Sequence, residues 1–546
     1  MTIKTNTQLD YSKPLDVHKW SDYPEVNSFV NQIWDEYLSA EFPEQVGRGK
    51  RPKGPRKQQF KVVLLDLYVA WKEDPDLLIG VSLENGAYKA NSRCNKLHIS
   101  NKLREVLRHL ESIGLIGLHL GREGAKRSTR IWATDNLIKH FEEANLNLLT
   151  INPHEGKEVI VLNTTNEAGE KKSIEYRDED YAEIPRMREE MQRYNALLRR
   201  SFIDIGDLEK PIYQDQHWNK KFQNWETRTV QVNHFNKFVR RIFYRGSWEY
   251  GGRLHGGFWQ QVNEDVRKKI LINDFTTVEL DFSGLHINIA YALEGLTPLS
   301  EDAYQVEPIF NVPAEEQREW MKSLSLMCFN AKNLSGAYQA FRGDQKTGTQ
   351  AKSLTNEELE RLLDAFRSKH PHIKDYLCSD KGVSLMKIDA EIAAKVVNHF
   401  TDKEEPILCI HDSFICREQF KEELVQVMNE KVKETLDGYK VGIKAKKHVL
   451  DLKPYSTEGI LNVTDLKSIY LKSTTATVHD LGLIDRNWYM TAGIAKTNFS
   501  TVIAVDAGTQ NLEPGDTLTV TIKKEWIKDL RGVQMESDFV FSFTTP

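Results

Sequence analysis

The sequence predicts an α+β multidomain protein, and three observations support this fold class. The chain has 546 residues, which is enough for roughly three or four domains. Helical spacing of apolar residues, as in "HISNKLREVLRHLESIG", alternates along the chain with short runs that are typical of strands. Near the end, "DTLTVTI" and "DFVFSFTT" alternate apolar and polar residues with period two. We therefore expect mixed helices and strands, followed by an all-β, sandwich-like module.

The composition excludes several classes of protein. An apolar content of 40% and a charged content of 28% are ordinary for a soluble globular protein. The five cysteines are odd in number and include no C-x-x-C pair, which argues against a disulfide framework and a thiolate zinc site. The first twenty residues are polar and no run of about 18 apolar residues occurs, so we expect a cytoplasmic protein without a membrane partner. Because the net charge is only −5, binding of nucleic acid requires local basic patches.

One such patch ends the first predicted segment, residues 1–57. The stretch "GRGKRPKGPRK", residues 47–57, has six Lys or Arg and no acid, and its Gly and Pro prevent regular structure. Arg48, Lys50 and Arg51 could therefore lie along phosphates or enter a minor groove. The alternative is a solvated linker.

Residues 58–150 contain helices followed by a hairpin. The stretch "FKVVLLDLYVAWKED" has helical spacing, and a second helix begins with Ser100 as N-cap and places Leu103, Leu107 and Leu110 on one face. That helix ends at Gly114. The runs "LIGLHLG" and "STRIWAT" then predict two strands joined by the basic turn "REGAKR".

This order of helix and basic hairpin resembles a winged-helix domain. The resemblance implies that the second helix, with Lys102 and Arg104, enters a major groove of DNA. It also implies that the hairpin places basic side chains on phosphates, namely Arg122, Lys126, Arg127 and Arg130. Winged helices also serve as protein-interaction modules, which is the alternative. Residues 151–180 then read as a polar connector with one hairpin around "NEAGEK".

Residues 181–455 form the predicted core, in which two aspartates follow strand-like runs. The stretch "TTVELDFSGLHINIAYALEG" predicts a strand that ends at Asp281 and a helix from about Leu285. The stretch "EEPILCIHDSFICRE" predicts a hairpin with His411, Asp412 and Ser413 at an exposed turn. Two strand-borne aspartates are what a two-metal phosphoryl-transfer site requires, because Mg²⁺ takes hard oxygen ligands.

Four collinear stretches resemble the motifs of family A polymerases and their single-subunit, bacteriophage-type relatives. "LDFSGLHINIAYAL" is similar to the first palm motif, and "CIHDSF" to the third, which reads H-D-S-F in bacteriophage-type RNA polymerases. Between them, "EEQREWMKSLSLMCFNA" matches the R-x-x-x-K of the fingers helix, and upstream "GGRLHG" is similar to the T-G-R-L-S stretch. The resemblance implies a right-hand polymerase palm and fingers core.

The resemblance also implies a metal site. Asp281 and Asp412 would hold two Mg²⁺ ions, with Mn²⁺ as an alternative ion, and Phe282 is assigned to the same site. His411 would position the primer terminus or support the hairpin. We expect the partners to be a DNA template, a primer and nucleoside triphosphates.

Further residues would bind the nucleotide and the primer. Arg318 and Lys322, four apart on a helix, would neutralise the triphosphate, and Arg253 would contact primer or template. The sequence departs from the family at two nucleotide-binding positions. His286 replaces the glutamate that helps DNA polymerases exclude a ribose, and Phe329 stands one step before the family's aromatic residue. DNA and RNA products therefore both stay open.

The final segment, residues 456–546, carries "DLRGVQMESDFVFSFTT", which resembles the closing strands of bacterial Ig-like domains of the surface-layer type. Together, these features predict a template-directed nucleotidyltransferase, leaning towards a DNA polymerase of plasmid or phage replication. The alternatives are an RNA-synthesising primase or RNA polymerase, and a non-catalytic winged-helix replication initiator with a degenerate polymerase core.

Overall fold

The computed structural model describes residues 4–43, 55–84, 87–121, 128–154, 156–165, 171–206, 208–219 and 224–446, together with four strands between positions 470 and 544. Contacts divide the chain into two units, Met1–His448 and Val449–Pro546. The predicted candidates Arg48, Lys50, Arg51, Lys126 and Arg127 lie outside the described residues, as does Arg122.

The helices occupy most of the first unit. Their bounds are α1 (Asn6–Asp10), α2 (Pro24–Tyr37), α3 (Arg56–Glu73), α4 (Lys102–Ser112), α5 (Asp135–Ala144), α6 (Ile184–Arg200), α7 (Glu264–Arg267), α8 (Leu285–Leu293), α9 (Ala314–Asn330), α10 (Leu334–Asp344), α11 (Gln350–Ser353), α12 (Asn356–Lys369), α13 (Gly382–Asp402) and α14 (Lys421–Thr435).

The strands are mostly short. Their bounds are β1 (Ser12–Pro14), β2 (Lys19–Trp20), β3 (Leu78–Val81), β4 (Ile116–His119), β5 (Thr129–Ala133), β6 (Asn152–Pro153), β7 (Ile160–Thr165), β8 (Lys171–Ser173), β9 (Ile203–Ile205), β10 (Ile212–Asn219), β11 (Asn224–Gln231), β12 (Val239–Phe243), β13 (Gly251–Gly256), β14 (Ile270–Ile272), β15 (Phe275–Phe282), β16 (Leu408–Ile410), β17 (Ser413–Arg417), β18 (Ile443–Lys446), β19 (Tyr470–Lys472), β20 (His479–Asp480), β21 (Thr517–Ile522) and β22 (Phe539–Thr544). The α+β class is thus confirmed.

The N-terminal part, by which we mean the described residues from 4 to 150, packs around α3. Residues 59–70 of this helix are all buried. The two charged residues of that stretch are paired, because Lys61 donates to the Ser21 carbonyl at 2.6 Å and Asp66 lies 3.2 Å from the Lys13 ammonium. Burial of such charges costs several kcal/mol unless they are paired. A four-stranded sheet with the order β1-β3-β5-β4 lies in the same core.

The predicted second helix and hairpin of this part are present as α4, β4 and β5. Strands β4 and β5 pair antiparallel, with Ile116 opposite Ala133. The prediction of Ser100 as N-cap is wrong by one position, since Asn101 is the N-cap residue and the Ser100 hydroxyl accepts a hydrogen bond from the Lys102 amide at 3.4 Å. Gly114 follows the helix with a φ of 74°, a left-handed conformation that suits glycine.

The prediction of residues 151–180 as a polar connector is wrong for its middle part. The hairpin around "NEAGEK" exists as β7 and β8, but β7 also pairs parallel with β12 in a four-stranded sheet of order β13-β12-β7-β8. Val159, Ile160 and Leu162 are buried in the large central core. The apolar run "VIVL" thus belongs to the central core and not to a connector.

The central sheet carries the candidate site. Its strand order is β16-β17-β15-β14-β9, with β18 paired to β15, and every pairing is antiparallel. Along β15 the apolar residues Val278, Leu280 and Phe282 are buried in the central core, whereas Glu279 and Asp281 alternate with them. In the pleat of a strand, alternating residues point to opposite faces, so this strand has one apolar and one acidic face.

In the second unit, the described residues form a sheet of order β20-β19-β21-β22. Strands β21 and β22 pair antiparallel, with Leu518 opposite Phe543, so the strands predicted from the period-two pattern are present. Among the described residues of the whole chain, we find no helix with the length and apolar character needed to cross a membrane.

Candidate active site

The strand pairing brings Asp281 and Asp412 to the same end of the central sheet. Asp281 lies opposite Ser413 in the pairing of β15 with β17, and the Phe282 amide donates to the Asp412 carbonyl at 3.4 Å. Opposite residues of antiparallel strands have Cα atoms about 4.5–5.5 Å apart. The two aspartates are therefore neighbours in space although they are 131 positions apart in sequence.

Buried side chains hold the hairpin of Asp412 in position. The indole N–H of Trp259 donates to the Cys409 carbonyl at 3.1 Å, and the Tyr194 hydroxyl donates to the Ile407 carbonyl at 2.7 Å. At the turn itself, His411 has a φ of 58°. The prediction that all three polar residues of the turn are exposed is wrong for Ser413, which is buried and donates to Glu279 at 3.0 Å.

The turn after Asp281 is held in a similar way. Gly284 has a φ of 60°, and the side-chain amide of Asn288 donates to the Ser283 carbonyl at 2.9 Å. This bond closes the first turn of α8. The carboxylate of Asp281 thus sits at a tightly constrained junction between a strand and a helix.

The two acids of β15, Glu279 and Asp281, differ in their electrostatic surroundings. Glu279 is neutralised by Arg267 at 3.0 Å and Lys446 at 2.7 Å. By contrast, neither carboxylate of Asp281 and Asp412 has a hydrogen bond or an ion pair within the described part of the chain. Burial and the nearby charge of Asp412 raise the pKa of Asp281 to about 7, although Lys446 and Lys322 act in the opposite direction.

Two neighbouring, half-buried carboxylates without an ion-pair partner fit a hard divalent cation, whose charge would stabilise both anions. Phe282 could contribute only its backbone carbonyl, because a phenyl ring has no oxygen ligand for Mg²⁺. The ring itself is 3% exposed and packs edge-on against Phe414, with ring centroids 6.4 Å apart. No group of three or more His, Cys, Asp or Glu side chains within the described ranges is arranged to hold a metal. The remaining ligands of an ion bound here would therefore come from backbone, water or substrate.

The predicted fingers helix is present as α9, and its two cations differ in their surroundings. Lys322 is exposed, and its charge acts on Asp281. Arg318 donates to the Asp302 carboxylate at 2.8 and 3.1 Å. Asp302 also lies 3.6 Å from Lys444. Burial raises the pKa of Asp302, but the hydrogen bonds from Arg318 outweigh it and lower this pKa to about 2. An acidic side chain of the protein thus occupies the guanidinium that we assigned to a triphosphate.

Arg253 and His286 meet at an acid that the sequence reasoning missed. The Arg253 Nε atom donates to both carboxylate oxygens of Asp389, at 3.0 and 3.1 Å, and His286 Nε2 lies 2.6 Å from Asp389 Oδ2. Asp389 is 1% exposed and its pKa lies below the usual range, because hydrogen bonds from His286 and Arg253 outweigh its burial. The only signal in the sequence is a pair of acids, Asp389 and Glu391, on the apolar helix "SLMKIDAEIAAK".

Two other predicted residues are buried to different extents. His411 is half-buried beside His255, with ring centroids 5.3 Å apart, and burial lowers the pKa of its imidazole. A neutral imidazole at this turn suits a positioning role. Phe329 is 2% exposed and packs against Phe366, so the prediction that it contacts a nucleotide is contradicted: a side chain inside the core cannot stack on a base or sugar.

The segment between α8 and α9 adds a second residue that sequence reasoning missed. A Cβ atom placed on Gly284 would lie 3.8 Å from the Tyr304 hydroxyl, so this phenol stands at the turn that follows Asp281. Burial and the charge of Asp412 raise the pKa of Tyr304. The segment has no periodic pattern, and therefore no signal pointed to it.

The described DNA-binding candidates of the N-terminal part have local partners. Arg104 donates to the Leu83 carbonyl, and Arg130 donates to the Leu9 carbonyl at 2.9 Å and to the Ser128 carbonyl at 2.8 Å. Lys102 is half-buried at the start of α4. Arg130 is thus tied to its own neighbourhood, which leaves less of its guanidinium for a phosphate than we expected.

Comparisons with known proteins identify no family. Neither a known protein family nor a curated protein matches the chain. Among solved structures, the POL domain of Pol1 from M. smegmatis, in complex with DNA primer-template and dNTP, is similar with a TM-score of 0.27 and 14% sequence identity. The likeness covers 38% of this chain and 47% of that chain, so the chain spans about half the length of that protein. A similarity this weak carries no argument about function.

Proposed function

We propose that this chain is a template-directed nucleotidyltransferase that extends a primer by two-metal phosphoryl transfer. The observation that carries the proposal is the pair Asp281 and Asp412, two neighbouring carboxylates without a partner among the described residues, one with its pKa raised to about 7. By contrast, Glu279 and Asp302, two other acids near this end of the sheet, are each paired with an arginine.

Each residue of the candidate site would have a separate role. Asp281 and Asp412 would hold the Mg²⁺ ions, together with the backbone at Phe282. When bound, the metal would lower the pKa of the primer 3′-hydroxyl and stabilise the charge of the departing pyrophosphate. Lys322, exposed and close to the pair, would neutralise the triphosphate, and Arg318 would join it on exchanging Asp302 for a phosphate.

A cluster next to the carboxylate pair would help to position the substrate. It consists of Arg253, His286 and Asp389. Because Asp389 is hydrogen-bonded to both side chains, Arg253 is fixed in orientation and presents only part of its guanidinium to a primer. We assign Arg253 and His286 to positioning of the primer end and of the sugar. The basic arm and the hairpin of the N-terminal part would contact the duplex, and from this combination we propose a role in plasmid or phage replication.

The test is primer extension by the purified full chain. Wild type, Asp412→Asn and the exposed-residue control Asp375→Asn are incubated with Mg²⁺, a primed DNA template and either dNTPs or NTPs. We expect extension by wild type and control and a loss of at least 100-fold in Asp412→Asn, a magnitude typical for loss of a main electrostatic contribution. Equal extension by Asp412→Asn would refute the site, and no extension with either substrate would favour a DNA-binding protein.

A further inference from the structure

A second cleft lies apart from the carboxylate pair, between α6 and α13 with β12 as its floor. It encloses about 310 Å³, a size at the lower end of small-molecule sites. The first turns of α6 line it, and the start of a helix carries a partial positive charge. The cleft therefore combines room for a ligand with an end of a long helix.

Arg241 stands at the floor of this cleft with most of its hydrogen-bonding capacity unused. The side chain is 4% exposed, and its Nε donates to the Gly252 carbonyl at 2.9 Å. No other hydrogen bond or ion pair of this side chain occurs within the described ranges, although a guanidinium has five N–H donors. Burial lowers the pKa of Arg241, and the charges of Glu391 and Glu190 only partly oppose that effect, so a further anion in the cleft would stabilise this cation.

Lys387 is a second cation that lines the cleft. Its ammonium lies 5.2 Å from the centroid of the Phe243 ring, and the Arg241 guanidinium lies 5.5 Å from the same centroid. Lys387 is 9% exposed and lies 3.2 Å from Glu391. Two cations thus share one aromatic ring at the floor of the cleft.

The charges that line the cleft do not balance. Four cations and three acids line it, which leaves one positive charge. Arg186 binds both Glu183 and Glu190, and Lys387 pairs with Glu391. Arg241 and Lys395 at the rim have no ion pair among the lining residues, and the second acid of Arg186 offsets only one of their two charges. An anionic group at the floor would compensate this excess.

We propose that the cleft between α6 and α13 binds a small molecule through a phosphate group, which Arg241 and Lys387 would contact together. A phosphate has enough oxygens to accept hydrogen bonds from the free guanidinium donors and from the ammonium at once. The rest of the molecule would lie along the faces of the two helices. The site does not depend on the proposed polymerase reaction, because none of these residues contacts Asp281 or Asp412.

Calorimetric titration of the full chain tests this proposal, with inorganic phosphate and AMP as probes and without divalent metal. We expect one saturable site that is about tenfold weaker in Lys387→Gln, as the loss of one charge-assisted contact predicts. Lys433→Gln, at an exposed lysine of α14, is the matched control and should leave the affinity unchanged. Lys322→Gln should also leave it unchanged, which separates this cleft from the candidate active site. Binding of AMP but not of phosphate would identify a nucleotide as the ligand class.

Circular dichroism checks that each variant is folded, and Lys387→Met replaces Lys387→Gln if the latter is not. Absence of saturable binding, or equal affinities in the cleft variant and in Lys433→Gln, would overturn the proposal. So would a loss of binding in Lys322→Gln, which would place the phosphate at the active site. Competitive displacement of AMP by a single-stranded oligonucleotide would show that the cleft is a nucleic-acid groove instead.

Discussion

Replacement of Asp281 by asparagine should stabilise the metal-free protein at alkaline pH. Burial and Asp412 raise the pKa of Asp281 from 3.8 to about 7, so the folded state binds its proton more tightly than the unfolded state does. The free energy of unfolding therefore falls as the pH rises from about 4 to 7 and stays low above that. One pKa unit corresponds to 1.36 kcal/mol, so the full shift corresponds to about 4 kcal/mol, and partial solvent screening reduces this to about 2–4 kcal/mol.

Urea unfolding in EDTA, followed by tryptophan fluorescence, measures this effect in Asp281→Asn and wild type at pH 4 and pH 8. The variant should match wild type at pH 4, where the carboxyl is protonated, and should be about 2–4 kcal/mol more stable at pH 8. Titrating groups that do not interact with Asp281 cancel in this difference between variant and wild type. Asp375→Asn, at an exposed aspartate, should show no difference at either pH.

Magnesium extends the same experiment. At ten times its Kd, Mg²⁺ should stabilise wild type at pH 8 by about 1.4 kcal/mol, because it binds only the folded state, and it should not stabilise Asp281→Asn. A variant that is equally stabilised or destabilised at pH 4 and pH 8 would refute the reasoning, since the effect would then not arise from the charge of Asp281.

Two further variants test the surroundings of the pair. Asp389→Asn should destabilise the protein by about 3–5 kcal/mol in urea unfolding, because it leaves Arg253 without its buried partner, and the double variant Asp389→Asn, Arg253→Met should lose less than the two single variants together. Additive losses would contradict that pairing. Lys322→Gln should raise the KM for the nucleotide about tenfold in primer extension without a change in stability, since the side chain is exposed, whereas the same substitution at Lys433 should change neither quantity. An unchanged KM in Lys322→Gln would remove that lysine from the nucleotide site.

The helices and hairpins around the site could be predicted from local patterns. The strand before Asp281, the helix from Leu285 and the hairpin at Asp412 all lie where the sequence indicates them. Each depends on periodicity or turn preference within about ten residues, and such signals are contained in the chain itself. The errors at Ser100 and in residues 151–180 are also local. The first is a shift of a helix start by one residue, and the second is a buried strand within a polar stretch.

The partners of the charged side chains could not be predicted in this way. The sequence predicts that Arg318 binds a triphosphate, but its guanidinium donates to Asp302, which lies in the segment before α9. The sequence predicts separate roles for Arg253 and His286, but both contact Asp389, which lies on a helix more than 100 positions further along the chain. Contacts of this kind depend on how distant elements pack, and no local pattern encodes them.

The α+β class and the positions of the elements around the site could be predicted from the chain alone, because they follow from hydrophobic periodicity. The prediction of Asp281 and Asp412 as the central acids rests on their strand-like contexts and on the resemblance to polymerase motifs. Only the tertiary structure decided that these two acids are neighbours, that their charges are unpaired among the described residues, and that Phe329 lies in the core. The physical reason is that burial and electrostatic interaction depend on distance in space, which strand pairing and helix packing set.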